Sequence, residues 1–223
     1  ALRVTGPGLA GLQPGLSAAK EAVMRAHAAA KYVGHDASHT PVTVLKQGWL
    51  VTYAHGKHEE WELGTTVLVW LNNGSGDRRI PVSATVQYKS NAPRFDYVLL
   101  RVEGEWGERD TPVLDPGVTR FEPYVLVGAS APGDPHSTRH GSMLSTRLDE
   151  NGHMKGDTPA AEGDSGGGCF LLSTGALFAI CVACSDQQSS LLPITLPLAM
   201  AAELEAAEAA ARQQQMPQQA GHG

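Results

Sequence analysis

Cysteine is scarce. The 223 residues hold three, Cys169, Cys181 and Cys184. An odd and small number closes no disulfide framework, which sets aside cysteine-stapled scaffolds and fits a reducing, intracellular setting. Cys181 and Cys184 have the spacing of half a zinc site, but no second ligand pair follows. They fall in the apolar run "ALFAICVAC", where strand alternation turns residues three apart to opposite faces. Buried thiols are expected there, and no metal or other cofactor. Positive charge is also short: 17 Lys and Arg against 23 Asp and Glu leave a formal charge of −6. Nothing basic and contiguous suits nucleic acid, and pairs such as Arg78-Arg79 read as solvated surface. No apolar run reaches the ~18–20 residues of a membrane span, and no signal-peptide pattern is visible. What is plentiful is apolar content, 42% of residues, enough for one large all-β domain or two small ones.

The texture changes along the chain. An arm over residues 1–39 is Gly/Pro-rich and then Ala-rich. Within it "SAAKEAVMRAHAAAKYV" predicts a helix, with Ser17 as N-cap and Gly34 as stop. From residue 40 short β-rich runs follow one another: "PVTVL", "WLVTYA", "TTVLVWL", "IPVSATVQY" and "DYVLLRV", with "NNGSGD" as turn punctuation. A charged, Pro/Gly-containing stretch over residues 103–123 reads as a connector. A second set follows: "YVLVGAS", "GSMLSTRL", "GCFLLS" and "ALFAICVA". Short strands at this spacing predict barrels or sandwiches. "ITLPLAMAAELEAAEAAARQQQ" predicts a C-terminal helix with Leu198, Ala201, Ala202 and Leu204 in one apolar stripe. No internal sequence repeat is visible.

One stretch asks for a chemical explanation. "EGDSGGGCF" sets Ser165 among glycines at the mouth of an apolar run. A serine hydroxyl is a weak nucleophile that needs an adjacent base and an orienter for that base. It also needs backbone N–H donors aimed at the developing oxyanion. The glycines leave the backbone unobstructed, although a Gly-rich turn would look the same. Two other places change the balance. "WLVTYAHGKH" puts His55 just past an apolar strand, and "NAPRFDYVLLRV" puts Asp96 at the start of another. Asp77, in the loop "NGSGDRR", is a weaker candidate. His58 reads as a surface histidine, and His35, His39, His136, His140 and His153 lie in polar, solvated stretches.

Ala54-His55, Asp96-Tyr97-Val98-Leu99-Leu100 and Gly163-Asp164-Ser165-Gly166-Gly167, in that order, resemble the chymotrypsin-like serine proteases over residues 40–200. The resemblance implies two antiparallel six-stranded β-barrels with the site between them. Residues 40–108 would form the first barrel, 109–193 the second, and 194–223 a C-terminal helix and tail. It implies that Ser165 attacks the scissile carbonyl, His55 shuttles the proton and Asp96 orients the imidazole. The N–H groups of Gly163 and Ser165 would form the oxyanion hole. The substrate would be a polypeptide, lying as an added strand on Val182, Ala183 and Cys184 with the pocket floor near Thr158 and Pro159. None of these places is charged unless Asp186 swings in, so a small or apolar side chain is expected before the cut. "GDSGG" also fits the nucleophile elbow of α/β-hydrolases, but that fold needs Asp and then His after the serine, and only the late His222 follows.

The chain departs from digestive relatives. Gly56 stands where they carry a cysteine, none precedes the Gly-Asp-Ser run, and no Ile-Val-Gly-Gly sequence lies near Ala1 to pair with Asp164. Asp164 must find another partner or face solvent, and the site is expected to form without activation. A disulfide-poor, compact chain of this type is similar to the polyprotein-processing proteases of positive-strand RNA viruses, which would place it in the host cytoplasm with its own polyprotein as substrate. An intracellular or bacterial stress protease of the same clan would usually bring a peptide-binding domain, for which the remaining chain is too short. The alternative is a non-catalytic or self-cleaving, capsid-like binding protein on the same fold, with the Ala-rich ends docking partners.

Overall fold

The computed structural model describes residues 20–25, 28–72, 79–107, 109–130, 136–185 and 187–215. Asp77, Asp186, His222 and Ser17, each considered above, lie outside them. Six strands form the first barrel: β1 (Val33–Asp36), β2 (Pro41–Lys46), β3 (Trp49–Thr52), β4 (Thr66–Asn72), β5 (Arg79–Lys89) and β6 (Val98–Val102). They close in the order β1-β2-β3-β6-β5-β4. Six more form the second: β7 (Pro123–Gly128), β8 (Ser137–Ser145), β9 (Met154–Gly156), β10 (Gly168–Leu171), β11 (Leu177–Ser185) and β12 (Gln188–Pro193). Their order, β10-β11-β12-β9-β8-β7, is the same winding started from the other end. All pairings within the barrels are antiparallel. This is the chymotrypsin-like double barrel, as the resemblance implies.

The near-continuous apolar runs have a direct cause. In β6, Val98, Leu100 and Val102 join the interior of the first barrel with Val42, Val44, Val69 and Leu71. Leu99, between them, points the other way, into a seam shared with the second barrel. In β7, Tyr124 and Leu126 fill the second barrel with Met143, Phe178 and Leu191. Val125 and Val127 reach the seam, where they join Leu45, Trp49, Val51, Phe170, Ile180 and Val182. Period-2 alternation thus sends one face of each strand into its own barrel and the other into the seam, so both faces are apolar.

The first barrel starts at Val33, earlier than the expected residue 40. The segment Val33-Gly34-His35-Asp36 shows no apolar alternation, so its sequence does not announce a strand. Gly34 does not stop the preceding helix. Residues 20–25 and 28–29 are helical, a 3-10 turn spans Ala30–Tyr32, and Gly34 lies inside β1. A Cβ at Gly34 would stand 2.3 Å from the Trp70 carbonyl oxygen, so its requirement is the close approach of β4.

The C-terminal helix spans Thr195–Gln215. Leu198, Ala201 and Leu204 pack into the seam, whereas Ala202, expected in the same stripe, is exposed. Glu205 anchors the helix to the first barrel. It accepts from Trp49 Nε1 and Lys46 Nζ, both at 2.7 Å, and lies 3.6 Å from Arg101 Nη1. Trp49 is fully buried, so its indole N–H has no access to water as a substitute partner. Glu205→Ala is therefore expected to lower unfolding free energy by about 1–3 kcal/mol, read from the denaturant midpoint at unchanged slope.

Candidate active site

Strand register brings the first two residues together. β3 and β6 are neighbours with Thr52 opposite Val98. His55 lies three residues beyond β3 and Asp96 two before β6, so both sit at the same end of one pair of strands. Asp96 is buried and receives three hydrogen bonds. Its Oδ1 accepts from the backbone N–H groups of Ala54 at 2.9 Å and His55 at 3.1 Å, and its Oδ2 faces His55 Nδ1 at 2.7 Å. An ionised carboxylate only accepts, so the proton of the imidazole resides on Nδ1 and a neutral ring offers Nε2 as base. The hydrogen bond to Asp96 raises the His55 pKa above its ordinary value. Burial opposes the rise, and the charges of Asp96 and Glu59 add to it. The ring of Tyr53 packs on the imidazole with centroids 4.5 Å apart.

Ser165 arrives from the other barrel on the turn ahead of β10. Gly163 and Gly166 take φ values of +96° and +88°, a region that glycine enters without strain. Gly166 is also sterically required: a Cβ there would lie 2.2 Å from the Pro41 carbonyl oxygen and 2.5 Å from Thr52 Oγ1. Thr43 Oγ1 donates to the Gly166 carbonyl at 2.8 Å. The serine turn is thus pressed onto β2 and β3, three residues from His55. The N–H groups of Gly163 and Ser165 donate to no described residue. Ser165 Oγ donates to the Val182 carbonyl at 3.4 Å, and among the described residues no hydrogen bond joins it to His55. Val182 falls where the pairing of β11 with β12 shifts register, between Cys181 and Ala183. Such a bulge re-aims backbone groups.

Asp164, next to the serine, does not face solvent. It is fully buried. Its Oδ1 accepts from Ser137 Oγ at 2.6 Å, and its Oδ2 accepts from Arg139 Nε at 2.8 Å and Ala161 N–H at 2.9 Å. Gly128 makes room for this carboxylate, since a Cβ there would approach Asp164 Oδ1 to 2.3 Å. Arg139 was invisible as a site residue in the sequence. "STRHGS" reads as a polar stretch, and only Asp164, left to find a partner or face solvent, pointed toward it.

The expected substrate contacts divide. Pro159, Ala183 and Cys184 are exposed and Val182 is buried. Thr158, expected near the pocket floor, is fully buried, and its hydroxyl donates to Tyr124 Oη, which in turn lies 3.0 Å from Ser189 Oγ. It serves the interior of the second barrel. Cys184, expected as a buried thiol, is exposed, while Cys169 and Cys181 are buried.

His58 is also not the surface residue its polar neighbourhood suggests. It is fully buried, with Nδ1 2.8 Å from the Tyr53 carbonyl oxygen and Nε2 2.9 Å from Asp36 Oδ2. Burial pushes the Asp36 carboxyl up, but hydrogen bonds from His58 and the Thr40 N–H outweigh it and hold the pKa below the usual range. His153 is buried as well, and its Nε2 has no hydrogen-bond partner among the described residues. Desolvation lowers its pKa. Among the described residues no group of three or more His, Cys, Asp or Glu side chains could hold a metal ion.

No protein-family model and no curated protein sequence matches the chain. Solved structures do. An HtrA-type protease, AlgW, with a decapeptide superposes with a TM-score of 0.57 at 18% identity, over 71% of this chain and 49% of that one. A substituted form of AlgW, also with a decapeptide, gives a TM-score of 0.57 at 17% identity, over 71% and 48%. The chain therefore spans about half the length of the proteases it matches, and at this identity the likeness establishes the double-barrel fold.

The Asp96–His55 pair makes a prediction that needs no substrate. The His55 imidazole should titrate above its ordinary ~6.5 when followed by NMR. Asp96→Asn removes the main cause of the rise and leaves desolvation, so the midpoint should fall below that value.

Proposed function

We propose that this chain is a serine endopeptidase in which Ser165 is the nucleophile, His55 the general base and acid, and Asp96 the orienter of the imidazole. The observation that carries the reading is the Asp96 carboxylate, which faces His55 Nδ1 and accepts from the backbone N–H groups of Ala54 and His55, beside the turn that presents Ser165. In the reaction, the Ser165 hydroxyl leaves the Val182 carbonyl, turns to His55 Nε2 and gives up its proton as Oγ attacks the substrate carbonyl. The N–H groups of Gly163 and Ser165, which donate to no described residue, would receive the oxyanion; one such donor is worth about 3–4 kcal/mol of barrier. The imidazolium, stabilised by Asp96, then protonates the leaving amine, and water repeats the sequence on the acyl-enzyme.

The substrate class is an extended polypeptide pairing with the backbone of Val182, Ala183 and Cys184. The decapeptides in the AlgW structures accord with a peptide ligand for this fold. The side chain before the cut would be small or apolar, since Pro159, Ala183 and Cys184 supply no charge. Polyprotein processing would be one use of such an activity; the two AlgW structures, of an HtrA-type protease, lend it no support. A non-catalytic peptide-binding role is the second reading, favoured by one observation: Ser165 Oγ rests on Val182 rather than on His55.

Fluorophosphonate labelling with mapping of the modified residue decides between the two. Labelling at Ser165, with peptide cleavage lost by about 10³-fold or more in Ser165→Ala, is the expected result. Cleavage that survives this substitution removes Ser165 from the role, and failure of the unaltered chain to label supports the binding protein. The base must be neutral to act, and its pKa is raised. Cleavage should therefore increase with pH through a midpoint above ~6.5 and hold into mildly alkaline solution. Glu59→Gln should move that midpoint down, measured from kcat/KM against pH.

A further inference from the structure

His58 follows His55 in the same short turn and has no exposed surface. Both of its ring nitrogens face oxygen. Nδ1 lies 2.8 Å from the Tyr53 carbonyl oxygen, and Nε2 lies 2.9 Å from Asp36 Oδ2. A carbonyl only accepts, and so does an ionised carboxylate. Asp36 meets that condition. Its Oδ1 accepts from the N–H groups of Ser38 at 2.8 Å and Thr40 at 2.9 Å, and these bonds with that of His58 hold its pKa below the usual range. A ring with a single N–H would aim a lone pair at one of the two oxygens in a place that water does not reach. Both bonds form only when each nitrogen carries a proton.

These bonds tie the segment around His55 to β1. Tyr53 precedes His55 by two residues. Its carbonyl is held by His58 Nδ1, and its ring packs against both imidazoles, with centroids 4.5 Å from each. The Trp61 ring packs on His58 with centroids 4.0 Å apart. After His55 the backbone turns through Gly56–His58, and the His58 N–H donates to the His55 carbonyl at 3.2 Å. Lys89, on β5, holds the far end of the turn through the carbonyls of His58 at 2.9 Å and Trp61 at 3.2 Å. One imidazole thus fixes the chain both before and after His55.

We infer that His58, donating from both ring nitrogens, is a positioning residue for His55: Asp36 anchors His58, and His58 anchors Tyr53. The inference rests on the reading of the chain as a serine endopeptidase. Asp96 orients the His55 ring, whereas His58 sets where the backbone and the Tyr53 wall that carry and flank that ring lie. The ring bonds of His58 go to Tyr53 and Asp36 and to no reacting atom. Its effect should appear in kcat more than in KM.

The test separates the two bonds in the full chain. Asparagine places its amide nitrogen where Nδ1 stands, and glutamine where Nε2 stands. His58→Asn therefore keeps a donor for Tyr53 and leaves Asp36 short of one, and His58→Gln does the reverse. A buried carboxylate is costlier to abandon than a carbonyl, so His58→Asn should have the lower denaturant midpoint. Activity should rank the other way. His58→Gln should lower kcat on a peptide and the fluorophosphonate labelling rate by about 10-fold or more, with KM changed by less than about 3-fold. Its His55 midpoint, followed by NMR, should fall toward the ordinary ~6.5, because the rise depends on the bond to Asp96. His58→Asn should recover most of kcat. Asp36→Asn, whose amide can donate to Nε2 while Nδ1 still serves Tyr53, should do the same and covers the case in which His58→Asn does not fold. In the unaltered chain both ring N–H groups of His58 should appear in the proton–nitrogen NMR spectrum. Wild-type kcat with an unmoved His55 midpoint in His58→Gln would overturn the inference, and so would a single His58 ring N–H in the unaltered chain. A kcat that follows stability, with His58→Asn more impaired than His58→Gln, is the pattern of a purely structural bracket and would overturn it too. An unaltered chain that neither labels nor cleaves overturns the endopeptidase reading itself; the His55 midpoint in His58→Gln needs no substrate and still decides the positioning.

Discussion

The absence of a side chain at residue 166 governs the cleft. The serine turn comes from one barrel and the His–Asp pair from the other, so their alignment is set wherever the barrels touch closest to them. That place is Gly166, where a single methyl group would collide with Pro41 and Thr52. The Thr43 hydroxyl, bonded to the Gly166 carbonyl, adds direction to this contact. Behind it the apolar seam of Leu45, Val51, Leu99, Val127, Ile180 and Val182 supplies the broad, non-directional attraction that holds the barrels together. Orientation comes from the few polar contacts at its rim, and from Glu205, which fixes the C-terminal helix across the first barrel.

The electrostatics near the cleft follow a common rule. Asp36, Asp96 and Asp164 are all buried, and each is saturated by donors: His58 with backbone N–H groups for the first, His55 with backbone N–H groups for the second, Arg139 with Ser137 and Ala161 for the third. A buried carboxylate left without partners would be expensive, so each one dictates the position of the cation or dipole beside it. The carboxylates therefore act as fixed points from which side-chain orientations around the cleft are set.

Much of this was legible beforehand because it depends on local pattern. Strand runs betray themselves by apolar content, and in β6 and β7 that content is continuous because a seam and a barrel interior claim opposite faces. His55, Asp96 and Ser165 were visible because each stands at a strand end in a distinctive context. What was hidden depends on which residues meet across the fold. β1 has no alternation to reveal it, since Gly34 is dictated by the backbone of β4 rather than by its own strand. His58 and Thr158 looked available to solvent or substrate because nothing local announces Asp36 or Tyr124 as partners. Arg139 is the clearest case: Asp164 left a partner or solvent equally open, and only β8 lying alongside supplies the guanidinium.

The two barrels are wound identically, yet they are put to different use. In the first, the chain leaving the third strand and the chain entering the sixth carry His55 and Asp96; in the second, the chain entering the fourth carries Ser165. The identical winding confers no twofold duplication of chemistry. Neither half holds all three of the residues proposed as the catalytic set, so that set is a property of their junction, and parting the chain within the connector would divide it between the pieces.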